Sequence, residues 1–535
     1  MAIQTSQRIA LRSTALVRKL QFALEQSSLD LGIVCALAVS FLYFGYYLLA
    51  GWLKAENFAF GARDTAIYQT ALWQAGQFGN PITYVMPGVS SLPLVGGHFM
   101  PIGFVYGFAY RFFPSVQTTV LIYAASFAVS GWFIFLFART IAKNDLIAVS
   151  AQIVYLAVYT PASGHFYFED WAVPFISAGL YFTARAKFVW ATLMWIGAMM
   201  FKEYIGLSIA AFGFANWVAV QIELRRAETE RPAERHRVRF VLVWVALGIA
   251  WFVIAFWGIM HYFQPVWINL GMFRAFANSD ASMLLLLLPE TPQILLRVLS
   301  PAGQSYLVGL FLPLAFLSLL GIEYTFALVP ILLLNFLADN DHAIRDGLNG
   351  HYTTMVQPFL VAGAVVGLVR LQHWLVRRRW LWRMAVACSL ICILYFVAQG
   401  LRYDIYKLRE SLAIAHTWQE HTRDVNFTLS QIAPSASIAA DENLLPFLAH
   451  RPMVVHLANA TQYAPHYILR DSFYNTASVQ VLNAGLALGA NLYAHAPNEY
   501  YDRAKWEQAP VPNCSCPGYR LLMRRGSLAL FVKAE

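Results

Sequence analysis

Charged residues are scarce in this chain. Asp, Glu, Lys and Arg make up 13% of its 535 residues, whereas 59% are hydrophobic and 15% aromatic, and the mean hydropathy is +0.51. A soluble domain of this length needs a largely polar surface, so the composition excludes one. The chain is therefore predicted to be a polytopic membrane protein whose main partner is the lipid bilayer.

Sequence motifs typical of soluble enzymes are absent as well. The sequence has no phosphate-binding P-loop, dinucleotide glycine fingerprint, zincin helix or nucleophile elbow, so coupling to ATP is unsupported. Of the five cysteines, three fall in apolar segments and are predicted to be packing residues: Cys35, Cys388 and Cys392. A disulfide between Cys514 and Cys516 would span one residue and be strained, which leaves their redox state open.

The formal net charge of +9 comes from basic residues next to apolar segments. This distribution is typical of cytoplasmic loops in membrane proteins, and it indicates topology rather than binding of nucleic acid. Residues 1–30 are polar and basic, and they are predicted to be a cytoplasmic segment rather than a cleavable signal peptide.

A membrane span needs about 20 apolar residues, or somewhat fewer where protein surrounds it. About eleven segments meet this description, which predicts an all-α transmembrane domain over residues 31–400. The predicted spans are residues 31–53, 117–139, 146–160, 172–184, 188–201, 204–222, 240–262, 305–320, 324–338, 354–371 and 384–400.

With a cytoplasmic N-terminus, nearly all Arg-rich and Lys-rich loops fall on the inner side. The long first outer loop, residues 54–116, then contains an apolar stretch at 100–113 that is short and includes Arg111, so we expect it to lie in the membrane interface. Residues 401–535 are predicted to form an extracytoplasmic α/β domain, with a hairpin turn at Arg525-Gly526-Ser527 and helices before Pro434 and over 442–450. Its predicted strands are residues 436–440, 453–457, 467–470, 519–523 and 528–532.

Four short charged loops are predicted to share the outer side of the membrane. Ionisable groups at membrane depth are costly, so their convergence on one face indicates a functional site. The loops are residues 60–64, 166–171, 201–204 and 339–352.

Asp64 follows the first span and has aromatic neighbours. It could accept a proton from a hydroxyl group or hold a divalent cation, or it could simply pair with Arg63 or cap the next helix. Glu169 and Asp170 are adjacent, so on a helix they diverge by about 100°, which predicts one facing a cavity and one facing water.

Lys202 and Glu203 lie at the outer end of a span. They could form an ion pair between helices, or Lys202 could bind a phosphate as a point charge. The 339–352 loop ends in His351 and Tyr352, and its oxygen and imidazole groups could bind metal or phosphate or form an ordinary polar turn. His98 is a further imidazole in the first outer loop, where a lone His is more often structural.

Taken in order, several motifs resemble the domain of unknown function 2079 family of predicted bacterial membrane proteins. The likeness covers roughly residues 58–535. The motifs are Asp64 with Tyr68-Gln69-Thr70-Ala71-Leu72-Trp73, Gly97-His98-Phe99-Met100-Pro101-Ile102, Phe168-Glu169-Asp170-Trp171-Ala172-Val173-Pro174, Lys202-Glu203, His351-Tyr352, and, in the tail, Ile432-Ala433-Pro434 and His450-Arg451-Pro452.

That family is similar to the GT-C class of integral-membrane glycosyltransferases. The resemblance implies transfer of a sugar from a polyprenyl-phosphate donor to an extracytoplasmic glycan, lipid or protein acceptor. It gives Asp64 the role of catalytic base or metal ligand. Glu169 is a further catalytic candidate, expected to orient the acceptor or Lys202. The substrate-binding candidates are Lys202, Glu203, His351, Tyr352, His98 and Asp170.

A bound Mg²⁺ or Mn²⁺ is a candidate cofactor, but the chain has Gly97 where the family pattern leads us to look for an Asp, which puts metal dependence in doubt. Two other interpretations stay open. A transporter or lipid flippase would place ionisable residues within spans and show inverted repeats. A non-catalytic envelope assembly protein would bind its partner through residues 401–535.

Overall fold

A computed structural model of the chain describes residues 30–59, 63–79, 81–85, 92–159, 167–226, 232–263, 291–337, 351–375, 378–473, 508 and 518–534. The predicted cytoplasmic segment up to residue 29, most of the charged loop at 339–352, and both Cys514 and Cys516 lie outside the described residues.

Helices make up most of the described chain. They are α1 (Leu31–Glu56), α2 (Arg63–Gly76), α3 (Ile102–Tyr110), α4 (Val116–Ala142), α5 (Asp145–Val154), α6 (Val173–Ala184), α7 (Phe188–Met199), α8 (Ile205–Arg226), α9 (Pro232–Val253), α10 (Thr291–Leu299), α11 (Pro301–Phe311), α12 (Ile322–Thr325), α13 (Val329–Leu337), α14 (Gln357–Leu375), α15 (Arg379–Thr417), α16 (Gln419–Ser430), α17 (Leu445–Leu448) and α18 (Ala460–Tyr463). Short 3-10, π or α turns extend or join them at Pro93–Gly97, Tyr155–Tyr159, Phe168–Ala172, Ile254–Met260, His261–Phe263, Leu312–Leu314, Leu317–Gly321, Phe326–Leu328, His351–Val356 and Leu457–Asn459.

Seven helical stretches among the described residues are long and apolar enough to cross a bilayer, which confirms a mostly helical, multi-span membrane protein. Each overlaps a predicted span, and Leu317–Phe336 overlaps the two predicted at 305–320 and 324–338. They are Leu31–Glu56, Val116–Ala142, Ile205–Arg225, His236–Phe263, Leu317–Phe336, Thr353–Leu375 and Trp380–Thr417.

The expected number of about eleven complete spans is too high for the described residues. The spans predicted at 172–184 and 188–201 are the twelve-residue helices α6 and α7, which rise only ~18 Å against a hydrocarbon core of ~30 Å. The span predicted at 305–320 is interrupted after α11, where Ala315 and Phe316 take positive φ angles of 50° and 57°. Apolar composition does not by itself set helix length.

Ion pairs mark one face of the helical bundle. Arg139, in the last turn of α4, pairs with Asp30 at the start of α1 and with Asp145 at the start of α5 (Nε to Oδ1, 2.8 Å). Arg370, late in α14, pairs with Glu323 at 2.6 Å. Helix α1 therefore begins where α4 ends, as the predicted alternation of sides requires. These are the residues predicted to face the cytoplasm.

The predicted packing role of two cysteines is wrong. Cys35 on α1 and Cys388 on α15 are exposed on the surface of the protein. Both lie in stretches that meet lipid rather than protein, where a small apolar side chain has no burial to gain from the fold.

All five predicted strands are present. They are β1 (Ile438–Ala440), β2 (Val454–His456), β3 (Tyr467–Asp471), β4 (Tyr519–Arg525) and β5 (Leu528–Lys533), in the sheet order β2-β1-β3-β5-β4. β1 pairs in parallel with β2 and β3, and β5 pairs antiparallel with β3 and β4. The predicted hairpin joins β4 to β5, with Gly526 at a φ of 56° that a glycine adopts at little cost.

The α/β unit shares its hydrophobic core with the first outer loop. The Phe58 ring packs against the Phe447 ring with centroids 4.5 Å apart, and Tyr84 forms a parallel bridge with Val455 beside the sheet. This core joins three residues of the loop region to the sheet and its helices: Phe58, Ala66 and Val85 with Val425, Ile432, Ile438, Ala440, Leu444, Leu445, Leu448, Val454, Leu469, Leu528 and Leu530. The unit therefore lies directly on α2.

The stretch at 100–113 is too short to cross the membrane, as predicted. Its helix α3 has nine residues and packs on α2, where a Cβ on Gly107 would come 2.8 Å from the carbonyl oxygen of Leu72. Phe104 and Phe108 are exposed on its other side. The Tyr110 hydroxyl lies 2.7 Å from Nε2 of His450, which links α3 to the α/β unit.

Close packing of α14 on the turn at Leu317–Gly321 predicts a large effect of a small substitution. A Cβ on Gly367 would lie 1.9 Å from the carbonyl oxygen of Leu317, so the Gly367→Ala variant must separate the two backbones. We expect a loss of about 1–3 kcal/mol in the free energy of unfolding, measured by denaturant titration in detergent.

Gly309→Ala is the matched control, because a Cβ there meets no atom within 4 Å. An equal loss of stability in both variants would contradict this packing.

Candidate functional site

Asp64 and Tyr68 lie on one face of α2, four residues apart. Asp64 is in the first helical turn, where a negative charge interacts favourably with the helix dipole, and its side chain is partly exposed. The Tyr68 ring stacks on Phe168 at 5.9 Å and 29°. Burial raises the pKa of Tyr68 well above its usual value, and the nearby charge of Glu169 adds to the rise.

Glu169 and Lys202 form a buried ion pair. Lys202 Nζ donates to Glu169 Oε1, and the two residues are 5% and 0% exposed. Burial lowers the pKa of Lys202, but the charge of Glu169 outweighs it, so the pKa is raised and Lys202 is protonated. The ammonium group also lies 5.0 Å from the ring centre of Tyr204.

Glu203 binds the first outer loop. Its Oε1 lies 3.0 Å from His98 Nδ1, and its Oε2 accepts a hydrogen bond of 3.1 Å from the backbone N–H of Phe99. Burial raises the pKa of Glu203, but His98 and Lys202 lower it further, and the net shift is downward. Both carboxylate oxygens are thus engaged in holding the loop against the 201–204 turn.

Asp170, the neighbour of Glu169, does not face water. It is fully buried in the 3-10 turn Phe168–Ala172. Burial and the charge of Glu169 raise its pKa well above the usual value, and the Thr354 hydroxyl offsets this only in part. The expectation that one of the two carboxylates faces water is wrong, because the turn is covered on all sides by helices.

The last residues of the fourth charged loop, residues 339–352, lie close to Asp170. His351 and Tyr352 begin the 3-10 turn His351–Val356, which packs against the Phe168–Ala172 turn. The side chains of His351 and Tyr352 lie outside the described residues, whereas Thr353 and Thr354 are buried there. The backbone therefore brings this loop beside Asp170.

An aromatic cluster that the sequence did not single out surrounds the pair. The Tyr106 ring lies 5.1 Å from Trp171, and the Phe168 ring lies 5.0 Å from Trp171 and 5.5 Å from Phe201. Tyr106 could have been noticed only as a polar aromatic in an otherwise apolar stretch. These rings exclude water from Lys202 and Glu169, which strengthens their attraction.

The described carboxylates and imidazoles do not gather into a metal site. Within the described ranges, no group of three or more His, Cys, Asp and Glu residues has metal-binding spacing. Glu169 and Glu203 instead bond to Lys202 and His98.

The fold and the site together define a multi-span membrane protein with a buried charged cluster under a small α/β unit. The family model described as "Predicted membrane protein (DUF2079)" matches residues 54–500, and the chain belongs to this family.

No curated protein matches the chain. Among solved structures, it is similar to the crystal structure of ArnT from Cupriavidus metallidurans bound to undecaprenyl phosphate, with 12% sequence identity and a TM-score of 0.44. The match covers 93% of this chain and 97% of that one.

The buried pair predicts strong coupling between Glu169 and Lys202. Glu169→Gln leaves a buried ammonium without its counter-ion, so we expect a loss of about 3–5 kcal/mol in the free energy of unfolding. The double variant Glu169→Gln/Lys202→Met should recover most of it, and a double-mutant cycle of unfolding in detergent measures this coupling.

Glu223→Gln is the control, because its side chain is 54% exposed and lies 3.6 Å from Arg237. That variant should lose less than about 1 kcal/mol. Additive losses at positions 169 and 202 would refute the buried pair.

Proposed function

We propose that the chain is a membrane glycosyltransferase that moves a sugar from a polyprenyl-phosphate donor to an extracytoplasmic acceptor. One observation carries the proposal: a partly exposed carboxylate, Asp64, shares a helix face with Tyr68, which is electrostatically coupled to Lys202 and Glu169. An acid–base group and a buried cation therefore both act on Tyr68. The ordered motifs resemble the DUF2079 family, and the similarity of that family to GT-C enzymes supports the same reaction.

In the proposed reaction, an acceptor hydroxyl oxygen forms a bond to the anomeric carbon of the donor sugar. The bond between that carbon and the lipid phosphate oxygen breaks, and its electron pair stays on the phosphate. Asp64 takes the hydroxyl proton, which makes the oxygen a better nucleophile. Atoms and charges balance, because the lipid phosphate leaves as an anion.

Lys202 is proposed to stabilise the charge that develops on the leaving phosphate. A fixed cation in a water-poor site acts strongly on such charge. Glu169 holds Lys202 in position through their ion pair. His351 and Tyr352 are proposed helpers at the phosphate or acceptor.

The neighbouring polar groups support this arrangement. Burial raises the pKa of Asp170, which favours its protonated form, a hydrogen-bond donor. The contact between Glu203 and His98 fixes the loop that follows α2. We propose that these residues shape the substrate pocket rather than take part in bond changes.

A divalent cation fits this donor set poorly. Two of the carboxylates that could hold Mg²⁺ or Mn²⁺, Glu169 and Glu203, already bond to Lys202 and to His98 with Phe99. Gly97 adds no ligand where the family pattern leads us to look for an Asp. The proposed mechanism therefore uses no metal step.

The site is proposed to face the extracytoplasmic side of the bacterial inner membrane. A lipid-linked donor arrives from the bilayer and a polar acceptor from water, so the reaction belongs where spans meet outer loops. The α/β unit, proposed to be extracytoplasmic, packs on α2 and so restricts the space around Asp64.

Asp64→Asn should abolish transfer without unfolding the protein. Loss of a general base costs about a hundredfold or more in rate. The assay uses protein in liposomes with radiolabelled undecaprenyl-phosphate hexoses and pentoses and an envelope extract as acceptor source. Asp145→Asn, on the opposite face of the bundle, is the control. Transfer by Asp64→Asn at the rate of the unchanged protein would refute the base assignment.

Binding of undecaprenyl phosphate tests Lys202 separately. The double variant Glu169→Gln/Lys202→Met removes the cation without leaving an unpaired buried charge. We expect its affinity for undecaprenyl phosphate to fall about tenfold or more, because a charge-assisted hydrogen bond is worth about 1.5–3 kcal/mol. Unchanged affinity in a titration monitored by tryptophan fluorescence would exclude the phosphate contact.

A further inference from the structure

Large apolar side chains are exposed at the end of the first outer loop, just before the span α4. The Phe108 ring lies 6.4 Å from Phe78 and 5.7 Å from Phe112, measured between ring centroids. Contiguous apolar surface outside the spans marks a site of interaction. The exposed residues, named here the α3 apolar face, are Phe78, Phe104, Val105, Phe108, Phe112 and Phe113.

Phe78 occupies a backbone position that glycine usually takes. It follows the end of α2 with a φ of 57°, in the left-handed region, which is unfavourable for a bulky side chain. Its side chain is 77% exposed, so burial within the fold does not offset that strain. A phenylalanine kept in this conformation indicates a contact outside the chain.

The other side of α3 is covered by protein. Gly103 and Gly107 are buried there, and the Tyr110 hydroxyl binds His450 of the α/β unit. Tyr110 is two residues from Phe108, which places the two side chains about 200° apart around the helix. The α/β unit therefore binds one side of α3, and the apolar face lies on the opposite side.

The start of α4 sets the depth of the α3 apolar face. Helix α4 is long and apolar enough to cross the membrane, and Arg139 in its last turn belongs to an ion-pair network, which lies outside the hydrocarbon core. Val116, the first residue of α4, is ~35 Å along the helix from Arg139. That length exceeds the ~30 Å of the hydrocarbon core, so Val116 lies at headgroup level in the other leaflet. Phe112 and Phe113 come just before it in the chain.

Arg111 places a cation within this face. Its guanidinium lies 5.5 Å from the centre of the Phe78 ring, and its side chain is exposed. No ion pair joins Arg111 to a carboxylate in the part of the chain that the structure describes. A guanidinium beside exposed aromatic rings suits the membrane interface, because the cation can bind a lipid phosphate while the rings contact the acyl chains.

We propose that the α3 apolar face inserts into the headgroup region of the bilayer beside α4, with Arg111 bound to a phospholipid phosphate. Lipid is the occupant rather than a second copy of the chain, because the face continues into the surface of the span α4, where Leu121 is exposed. This contact is independent of the proposed sugar transfer. It holds α3 at the membrane surface, and with it Tyr106, whose ring packs on Trp171 in the aromatic cluster.

Fluorine NMR of the full chain in nanodiscs tests this proposal. Trifluoromethyl-phenylalanine replaces Phe108 in one sample and Phe78 in another, and its signal is relaxed by a water-soluble gadolinium chelate or by a nitroxide-labelled lipid. We expect the lipid probe to relax both signals about fivefold more than the chelate does, because an interfacial helix buries its apolar face about 5–10 Å deep.

Two exposed phenylalanines calibrate the probes. Phe41 in the span α1 is the control for contact with lipid, and Phe427 on α16 of the α/β unit is the control for contact with water. Relaxation mainly by the chelate, as expected for Phe427, would overturn the proposal. Weak relaxation by both probes would overturn it too, because protein would then cover the face. Phe108 decides the matter if the substitution at Phe78 prevents folding.

Arg111→Glu tests the phosphate contact in nanodiscs that contain phosphatidylglycerol. The reversed charge is repelled by lipid phosphates, so we expect the chelate to relax the signal at position 108 several-fold more than in the protein that keeps Arg111. Arg423→Glu is the matched control, since Arg423 is exposed on α16, and it should leave that signal unchanged. An unchanged signal in Arg111→Glu would overturn the phosphate contact.

Discussion

The ion pair between Lys202 and Glu169 is the interaction on which the packing of the charged loops depends. A buried ammonium in a water-poor environment is stable only when a carboxylate lies against it. That requirement brings the Phe168–Ala172 turn to the 201–204 turn. Glu203, the next residue, then binds His98 and the Phe99 backbone, which brings in the first outer loop. Lys202 therefore binds the Phe168–Ala172 turn, and Glu203 binds the segment at His98. These two neighbouring residues bring three distant segments of the chain together.

Helix α2 packs between two hydrophobic cores, and this packing fixes the position of the helix turn that carries Asp64. Leu72 and Ala75 pack into the core of the membrane bundle, whereas Ala66 packs into the core shared with the α/β unit. The bond between Tyr110 and His450 adds a polar contact at the same boundary, and burial lowers the pKa of His450 to about 4, so it is neutral near pH 7. The α/β unit thus acts as part of the outer loop and not as an independent module.

Much of this architecture could be predicted because it follows from local patterns. The short apolar runs around Ile438, Val454 and Ile468 indicate strands, and Gly526 indicates the hairpin turn. Helix lengths were less predictable: the break at Ala315 depends on backbone angles that apolar composition does not encode. The bond between Tyr110 and His450 was not predicted either, since the two residues lie 340 positions apart in the sequence.

The sequence by itself determined that the chain enters the membrane, which segments are helical, and that charged loops would gather on one face, because burial of apolar surface and the cost of charge act on each segment alone. Only the tertiary structure decided the partners: Lys202 with Glu169, Glu203 with His98, and Asp170 buried beside Thr354. Which opposite charge neutralises which depends on distances of a few ångströms between segments. Those distances follow from helix packing, which no single segment specifies.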